Sequence, residues 1–242
     1  MTPMLARDLE DYVDPAGWWL SEKLDGVRAV WNGRALLSRN GNLLPAPASF
    51  THALPRDTWL DGELWLGRGR FQETAAVVRR ADHPGWSALR YRVFDAPKAA
   101  GGFEERLAVC WRVLQGCAVA SVLPQVVCRG LADARNQCDA MTAAGGEGVC
   151  LRRPGSPYVE GRSRDLRRLK GAETDEGVVT GPCAKQLTLR WKGLEVTLGG
   201  TLPAELRATP PRVGMRVTFR YKGLFASGQP REPVFVGVRD YE

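Results

Sequence analysis

A lysine followed closely by an aspartate, a glycine and an arginine is the residue combination with the clearest chemical potential in this chain. It occurs in the run Lys23-Leu24-Asp25-Gly26-Val27-Arg28. A lysine amine is a nucleophile when it is deprotonated, and neighbouring cations favour that neutral form. The same run is compatible with a charged β-turn that has Asp-Gly at its tip. The hexapeptide alone does not decide between these interpretations.

Further short motifs with acidic, basic and aromatic residues follow the lysine along the chain. In chain order they are Ser38-Arg39-Asn40-Gly41, Leu60-Asp61-Gly62-Glu63-Leu64, Val93-Phe94-Asp95, Glu147-Gly148-Val149 and Arg168-Leu169-Lys170. Together with the lysine run they resemble the motifs of the covalent nucleotidyltransferases, and they occur in the order typical of that superfamily. Its members are DNA ligases, RNA ligases and mRNA capping enzymes.

Three longer runs resemble a narrower group, the minimal bacterial ATP-dependent DNA ligases of the E type. The runs are Ser21–Ala29, Leu64–Phe71, and Ser156-Pro157-Tyr158 with Gly161-Arg162-Ser163. This resemblance implies a ligase that seals nicks between a 5′-phosphate and a 3′-hydroxyl in duplex DNA, through AMP carried on Lys23. The alternatives are an RNA ligase, a capping-type nucleotidyltransferase, and a catalytically silent module that binds nicks.

The resemblance also implies roles for individual residues. Lys23 is the nucleophile, and Arg168 and Lys170 stabilise charge that develops at the α-phosphate of ATP. Arg28 and Arg39 are expected to grip phosphate oxygens, which suit a planar guanidinium.

The remaining expected contacts concern the base, the ribose and a metal ion. Glu22 is expected at the adenine, mainly through its backbone, and Phe94 is expected to stack on the ring. Glu63 is expected at the ribose, and Glu63 and Glu147 are expected to hold Mg²⁺ or Mn²⁺. The full set implied for nucleotide binding is Glu22, Arg28, Arg39, Glu63, Phe94, Glu147, Arg168 and Lys170.

The balance of 34 lysines and arginines against 27 acidic residues gives a net charge of +7. A cationic surface suits a polyanion, because each neutralised phosphate releases counterions. The expected partner is nicked double-stranded DNA, bound by a monomer. The candidate contact residues are Arg68, Arg70, Arg79, Arg80, Arg162, Arg164, Arg167, Lys192, Arg220, Lys222 and Arg231.

Strand-like runs between Gly, Pro and Asn turns, interrupted by helical patterns, indicate an α+β fold. The strands predicted up to residue 180 are Gly26–Trp31, Ala35–Ser38, Trp59–Leu66, Tyr91–Asp95, Gly148–Arg152 and Gly177–Thr180. The predicted helices are Phe71–Arg80, Glu104–Leu114 and Asp133–Ala143. Leu107, Trp111 and Leu114 share one helical stripe and are expected in the core, and Asp133 is expected to cap its helix.

The pattern changes after Lys170, where Gly171–Asp175 has no apolar periodicity and is expected to be a hinge. Beyond it, the predicted strands are Leu187–Trp191, Leu194–Leu198, Val213–Tyr221 and Val234–Val238. Short strands with little helix predict a small OB-type β-barrel. We therefore expect a nucleotidyltransferase domain at residues 1–172, built from ATP-grasp-like antiparallel sheets with helices, and an OB-fold domain at residues 173–242.

This chain departs from the family pattern in several places. Arg168 stands where lysine is usual, and Gly171 replaces a proline. The segment before Leu198 is short and keeps only Lys185 and Lys192 of a basic loop, and Arg239-Asp240 is a weak counterpart of a C-terminal basic motif.

Composition excludes some classes of protein. None of the six cysteines forms a C-x-x-C pair, which argues against a zinc ribbon; they are Cys110, Cys117, Cys128, Cys138, Cys150 and Cys183. No apolar run is long enough to cross a bilayer, so no membrane partner is expected. The expected compartment is the periplasm if a leader has been removed, and otherwise the cytoplasm.

Overall fold

The computed structural model describes residues 1–182, 186–199, 206–207, 209–225 and 227–239. Three residues named above lie outside these ranges: Cys183, Lys185 and Asp240. The chain divides into two compact units, Met1–Lys170 and Gly171–Glu242.

The first unit contains ten strands and four helices among the described residues. The strands are β1 (Met4–Asp8), β2 (Trp19–Glu22), β3 (Val27–Trp31), β4 (Leu36–Ser38), β5 (Leu60–Trp65), β6 (Arg90–Asp95), β7 (Ala120–Val122), β8 (Val126–Val127), β9 (Gly148–Arg152) and β10 (Gly161–Lys170). The helices are α1 (Ala48–Thr51), α2 (Phe71–Val78), α3 (Phe103–Val113) and α4 (Leu131–Ala143), and a 3₁₀ turn spans Pro84–Ser87.

These strands form two sheets of five. One has the order β1-β10-β9-β2-β8, and the other has the order β4-β3-β5-β6-β7. All neighbours are antiparallel except β1 with β10 and β6 with β7, which are parallel. The parallel pairs and the strands β1, β2, β7, β8 and β10 were not among the predicted elements. The α+β class itself is as predicted.

Each sheet of the first unit buries its own apolar cluster. Leu60, Leu64 and Tyr91 lie at the centre of the cluster between one sheet and helices α2 and α3. Leu20 and Leu151 lie in the smaller cluster between the other sheet and α4. Burial of these side chains, at about 1.5–3 kcal/mol each, fixes the strands that carry the motifs.

Two details of the predicted helices are wrong. Leu107 and Leu114 are buried, but the side chain of Trp111 on the same stripe is 58% exposed. Helix α4 begins after Gly130, and Asp133 lies inside its first turn, where the carboxylate accepts a hydrogen bond from the Arg129 backbone at 2.9 Å.

A buried ionic network joins β6, β9 and α3. Asp95 Oδ1 accepts from Arg106 Nε at 2.7 Å, and Asp95 Oδ2 accepts from Arg152 Nη2 at 2.7 Å. All three side chains are at most 5% exposed. The Asp95 motif residue thus ties the two sheets together through α3 and β9.

The described part of the second unit is a five-stranded antiparallel sheet. Its strands are β11 (Glu173–Pro182), β12 (Leu187–Trp191), β13 (Leu194–Thr197), β14 (Arg216–Tyr221) and β15 (Val234–Arg239). The order is β13-β12-β11-β14-β15, and a single bridge between Gly199 and Val234 links the region after β13 to β15. The described residues form the short antiparallel strands that the OB-type prediction implies, and within these residues the sheet does not close into a barrel.

Trp191, Phe219 and Tyr221 pack edge to face or tilted in the core of this unit. Of the segment expected to be a hinge, Glu173–Asp175 already pair with β14, and only Gly171 and Ala172 lie between β10 and β11.

No helix within the described ranges has the length and apolarity needed to traverse a bilayer.

Candidate active site

Lys23 lies directly after β2, where the pairing of β2 with β9 controls its position. Glu22 is the register partner of Val149, and the Lys23 backbone donates to the Gly148 carbonyl at 2.9 Å. Gly148 has a φ of 143°, and a Cβ there would lie 2.2 Å from the Leu169 carbonyl oxygen. Only glycine fits, which accounts for the glycine after Glu147.

The Lys23 side chain points to the turn before β9, and its ammonium donates to Glu147. The other oxygen of the same carboxylate binds Lys170 Nζ at 2.9 Å. Burial opposes ionisation of Glu147, but the hydrogen bonds from Lys23 and Lys170 outweigh it and lower its pKa. The motifs around residues 23, 147 and 170 are therefore brought together as one cluster.

A cavity of about 270 Å³ adjoins this cluster. The strands β1, β2, β3, β6, β9 and β10 contribute to its walls. Most residues expected to bind the nucleotide line it: Glu22, Lys23, Arg28, Arg39, Glu63, Phe94 and Arg168. Glu147 and Lys170 lie beside it through their contacts with Lys23 and with each other.

Arg28 is held by a buried carboxylate rather than left free for phosphate. Arg28 Nε and Nη2 donate to the two oxygens of Asp61 at 2.7 and 2.6 Å, and Nη2 also donates to the Met4 carbonyl at 3.0 Å. Its guanidinium lies 4.7 Å from the centre of the Phe94 ring. The expectation that Arg28 binds phosphate oxygens is therefore incomplete, because its side chain also packs against Phe94 in the wall of the pocket.

Phe94 reaches the cavity because β6 contains a bulge. Asp61 pairs with Asp95 and Gly62 pairs with Val93, so Phe94 is the extra residue opposite β5. A bulge redirects a side chain, and here it turns Phe94 into the cavity while its neighbours stay buried in the core.

Several residues of the site were missed by the sequence analysis. Tyr158 donates to Asp61 at 2.6 Å and accepts from the Met4 backbone at 3.0 Å, which ties β1 to the pocket wall. Ser21 and Cys150, which are register partners on β2 and β9, also line the cavity. The sequence signal that could have indicated Ser21 and Cys150 is the alternation of side chains along the strands that carry the motifs.

Cys110, Cys117, Cys128 and Cys150 are free thiols. Cys110, Cys128 and Cys138 are buried, as a small apolar residue is expected to be.

Glu63 lies on β5 opposite Arg28, with both side chains on the cavity face. Burial raises the pKa of Glu63 to about 7, although the attraction of Arg28 and Lys23 acts in the opposite direction. Within the described residues, no three His, Cys, Asp or Glu side chains are grouped closely enough to hold a metal ion.

We predict that Glu63→Gln stabilises the nucleotide-free protein more at about pH 8.5 than at about pH 5. The pKa of Glu63 is about 7 in the folded chain against a reference of 4.5. The unfolded chain therefore loses this proton first, so stability falls as pH rises between these values. Glutamine removes that loss, and thermal melts should show an additional gain of about 2–4 °C at the higher pH. An equal effect at both pH values would contradict the prediction.

The other residues expected to contact the nucleotide differ in their exposure and in their bonding partners. Arg39 is exposed at the cavity mouth. Arg168 Nε donates to Asp8 at 2.7 Å, so its charge is shared with β1. The Glu22 carboxylate is bound by Arg68, rather than being solvated.

One candidate DNA contact is wrong. Arg167 is buried, pairs with Glu10, and donates to the Asp8 carbonyl at 3.1 Å. Strand alternation turns it inward between its half-buried neighbours on β10, Leu166 and Arg168. The other candidates are exposed: Arg68, Arg70, Arg79, Arg80, Arg162, Arg164, Lys192, Arg220, Lys222 and Arg231.

Comparisons with known proteins show the family of this chain. Residues 176–239 match the family model of the DNA ligase OB-like domain. A protein named DNA ligase from Haemophilus influenzae is 33% identical over 226 residues, covering 89% of this chain and 84% of that protein. The chain belongs to the DNA ligase family. Its motifs for a covalent nucleotidyltransferase are thus those of a ligase.

Solved structures of ligases have the same fold. A structure from a study of Lig E DNA ligases, described as DNA binding with a minimal scaffold, is 32% identical to this ligase. It has a TM-score of 0.70 and covers 99% of each chain. The Chlorella virus DNA ligase-adenylate is 22% identical, with a TM-score of 0.62 and 99% coverage of each chain. The second likeness supports the fold alone.

Proposed function

We propose that this ligase takes AMP from ATP onto Lys23 and uses it to seal nicks in duplex DNA. One observation carries the proposal: the Lys23 ammonium lies at the wall of a cavity, bound to Glu147 and near a second cation, Lys170. A nucleophilic amine, a carboxylate that orients it and cations for phosphate are the groups that this chemistry requires.

The first step is attack of the neutral Lys23 amine on the α-phosphorus of ATP. A nitrogen–phosphorus bond forms, the bond to the pyrophosphate oxygen breaks and pyrophosphate leaves, and the amine passes one proton to solvent. Glu147 directs the amine, and Lys170 and Arg168 stabilise the charge on the phosphate oxygens. Phe94, supported by Arg28, gives the adenine a flat apolar surface.

The later steps transfer AMP to DNA. An oxygen of the 5′-phosphate at the nick attacks the phosphorus of lysyl-AMP, and the lysine leaves. The 3′-hydroxyl then attacks the 5′-phosphorus, a phosphodiester bond forms and AMP departs. Arg39 and Arg162 are exposed at the cavity and suit the nick phosphate.

Glu63 and Glu147 are the residues that would hold Mg²⁺ or Mn²⁺. Both offer hard carboxylate oxygens, and Mg²⁺ sites commonly combine one or two carboxylates with substrate phosphates and water. When bound, the ion neutralises phosphate charge.

Nicked DNA suits the charge of this ligase, which is +7 overall, with exposed arginines on the first unit and exposed basic residues on the second. Binding should therefore weaken steeply with salt. We also propose that a monomer binds the nick. An RNA ligase or capping activity shares the lysine chemistry and is the alternative to test.

Incubation with ATP labelled at the α-phosphate and Mg²⁺ should produce an acid-labile, labelled protein, and nicked DNA should then be sealed. GTP should label poorly, and a nick in duplex RNA should be sealed poorly. A matched nick with a 5′-hydroxyl should not be sealed, because it lacks the phosphate that accepts AMP. Failure of the protein to label with ATP would leave a silent nick-binding module, and preferential sealing of RNA would favour an RNA ligase.

A further inference from the structure

Arg68 lies in the turn between β5 and α2, with a glycine on each side. Gly67 and Gly69 on either side have φ values of 135° and 69°, in the region that favours glycine. From this turn the Arg68 side chain reaches Glu22 on β2 and the end of α4.

The guanidinium of Arg68 grips the residue that precedes Lys23. Arg68 Nε donates to Glu22 Oε1 at 2.7 Å, and Nη2 donates to Glu22 Oε2 at 3.0 Å. The Glu22 side chain is only 16% exposed, and that of Arg68 is 34% exposed. A two-pronged bond between a guanidinium and a carboxylate fixes both the distance and the orientation of its partners.

The same guanidinium also binds the end of α4. Its Nη1 donates to the Ala144 carbonyl at 3.2 Å. Ala144 is the C-cap of the helix, and carbonyls at a helix C-terminus have no hydrogen-bond partner within the helix. Arg68 Nη2 also lies 3.4 Å from the Met141 sulfur. A cation at a helix C-terminus is further favoured by the helix dipole.

The turn that leads to Glu147 approaches the contact closely on one side. A Cβ at Gly146 would lie 3.1 Å from Glu22 Oε1 and 3.5 Å from Arg68 Nε. Arg68 therefore joins Glu22, one residue before Lys23, to the end of α4 at Ala144, three residues before Glu147.

We propose that Arg68 is a positioning residue for adenylation: it holds the Lys23 segment against the Glu147 turn so that the amine and the carboxylate meet at the nucleotide. This inference rests on the proposed formation of lysyl-AMP. It replaces the expectation from the sequence that Arg68 contacts DNA, because most of its donors are already used within the protein.

The positioning role and the DNA-contact role of Arg68 predict different results in a reaction that contains no DNA. A positioning residue affects formation of lysyl-AMP from ATP alone, whereas a DNA contact affects only binding and sealing of the nick. Arg68→Ala is expected to slow lysyl-AMP formation at saturating ATP by about tenfold or more, since a small misplacement of reacting groups is costly. The affinity of Arg68→Ala for nicked DNA should stay within about twofold of wild type, because the substitution removes no contact with a DNA phosphate.

Arg135→Ala is the matched control, since Arg135 forms a comparable ion pair with Asp11 at 2.8 Å from the exposed side of α4. It should label at the wild-type rate. Arg68→Lys keeps the charge without the two-pronged geometry and should recover only part of the rate. Thermal melts of all variants separate slow chemistry from loss of the fold, and Arg68→Lys provides the readout if Arg68→Ala unfolds.

A wild-type rate of labelling in Arg68→Ala with weakened DNA binding would overturn the inference and restore the DNA-contact role. Full recovery by Arg68→Lys would also overturn it, because charge alone would then suffice. A wild-type protein that never labels is a different outcome, and it would overturn the proposed function instead.

Discussion

Lys23→Ala is expected to abolish labelling by α-labelled ATP and to lower nick sealing by a factor on the order of a million, as removal of other covalent nucleophiles does. The reason is that the ε-amine supplies the bond to AMP, and Glu147 and Lys170 cannot replace it. Lys23→Arg should be equally inactive, because a guanidinium keeps its proton and is a poor nucleophile. The rate of label incorporation on acid-stopped gels is the measurement.

A nick that already carries AMP on its 5′-phosphate provides the control. Sealing of this substrate needs no attack by lysine, so Lys23→Ala should retain much of the wild-type rate on it. That result would show an intact site that has lost one reaction. Labelling of Lys23→Ala with ATP would instead place the nucleophile elsewhere and remove the assignment.

Asp95→Asn is expected to destabilise the first unit by about 3–5 kcal/mol. Asp95 compensates two guanidiniums that are almost fully buried, those of Arg106 and Arg152, and it also accepts from the Ala96 backbone at 2.8 Å. A neutral amide cannot balance either charge, and its NH₂ group would face a guanidinium donor. Typical domains have only about 5–15 kcal/mol of stability in total, so much of the protein should be unfolded at modest temperature.

Denaturant unfolding monitored by tryptophan fluorescence would measure this loss. Asp11→Asn is the matched control, because it breaks a carboxylate–arginine pair on the surface, where such pairs contribute about 0–1 kcal/mol. Similar losses in both variants would show that the buried network does not stabilise the fold more than a surface ion pair.

The sequence predicts which residues form the chemical cluster better than it predicts their contacts. The order of motifs indicated that Lys23, Glu147 and Lys170 belong to one site, and the structure brings these three side chains into direct contact. The partners of Arg28 and Glu22 were not predictable in this way. Each depends on strand register and on a turn conformation that brings together residues distant in the chain.

The wrong predictions have a common physical cause. Trp111 was assigned to the core because it shares a helical stripe with Leu107 and Leu114, and Arg167 was assigned to the surface because it is basic. The orientation of α3 leaves Trp111 in solvent, and the alternation along β10 turns Arg167 inward, where Glu10 and backbone carbonyls satisfy its guanidinium. Periodicity gives relative orientation within an element, but the neighbouring elements decide which face is covered.

The shared carboxylate of Glu147 has a consequence for the resting protein. One of its oxygens accepts from Lys23 and the other binds Lys170, so a single side chain links the end of β2 to the end of β10. Without that carboxylate, two cations would lie close together with no anion between them, and their mutual repulsion would favour a wider separation. Glu147 therefore also holds the pocket together electrostatically before any nucleotide binds.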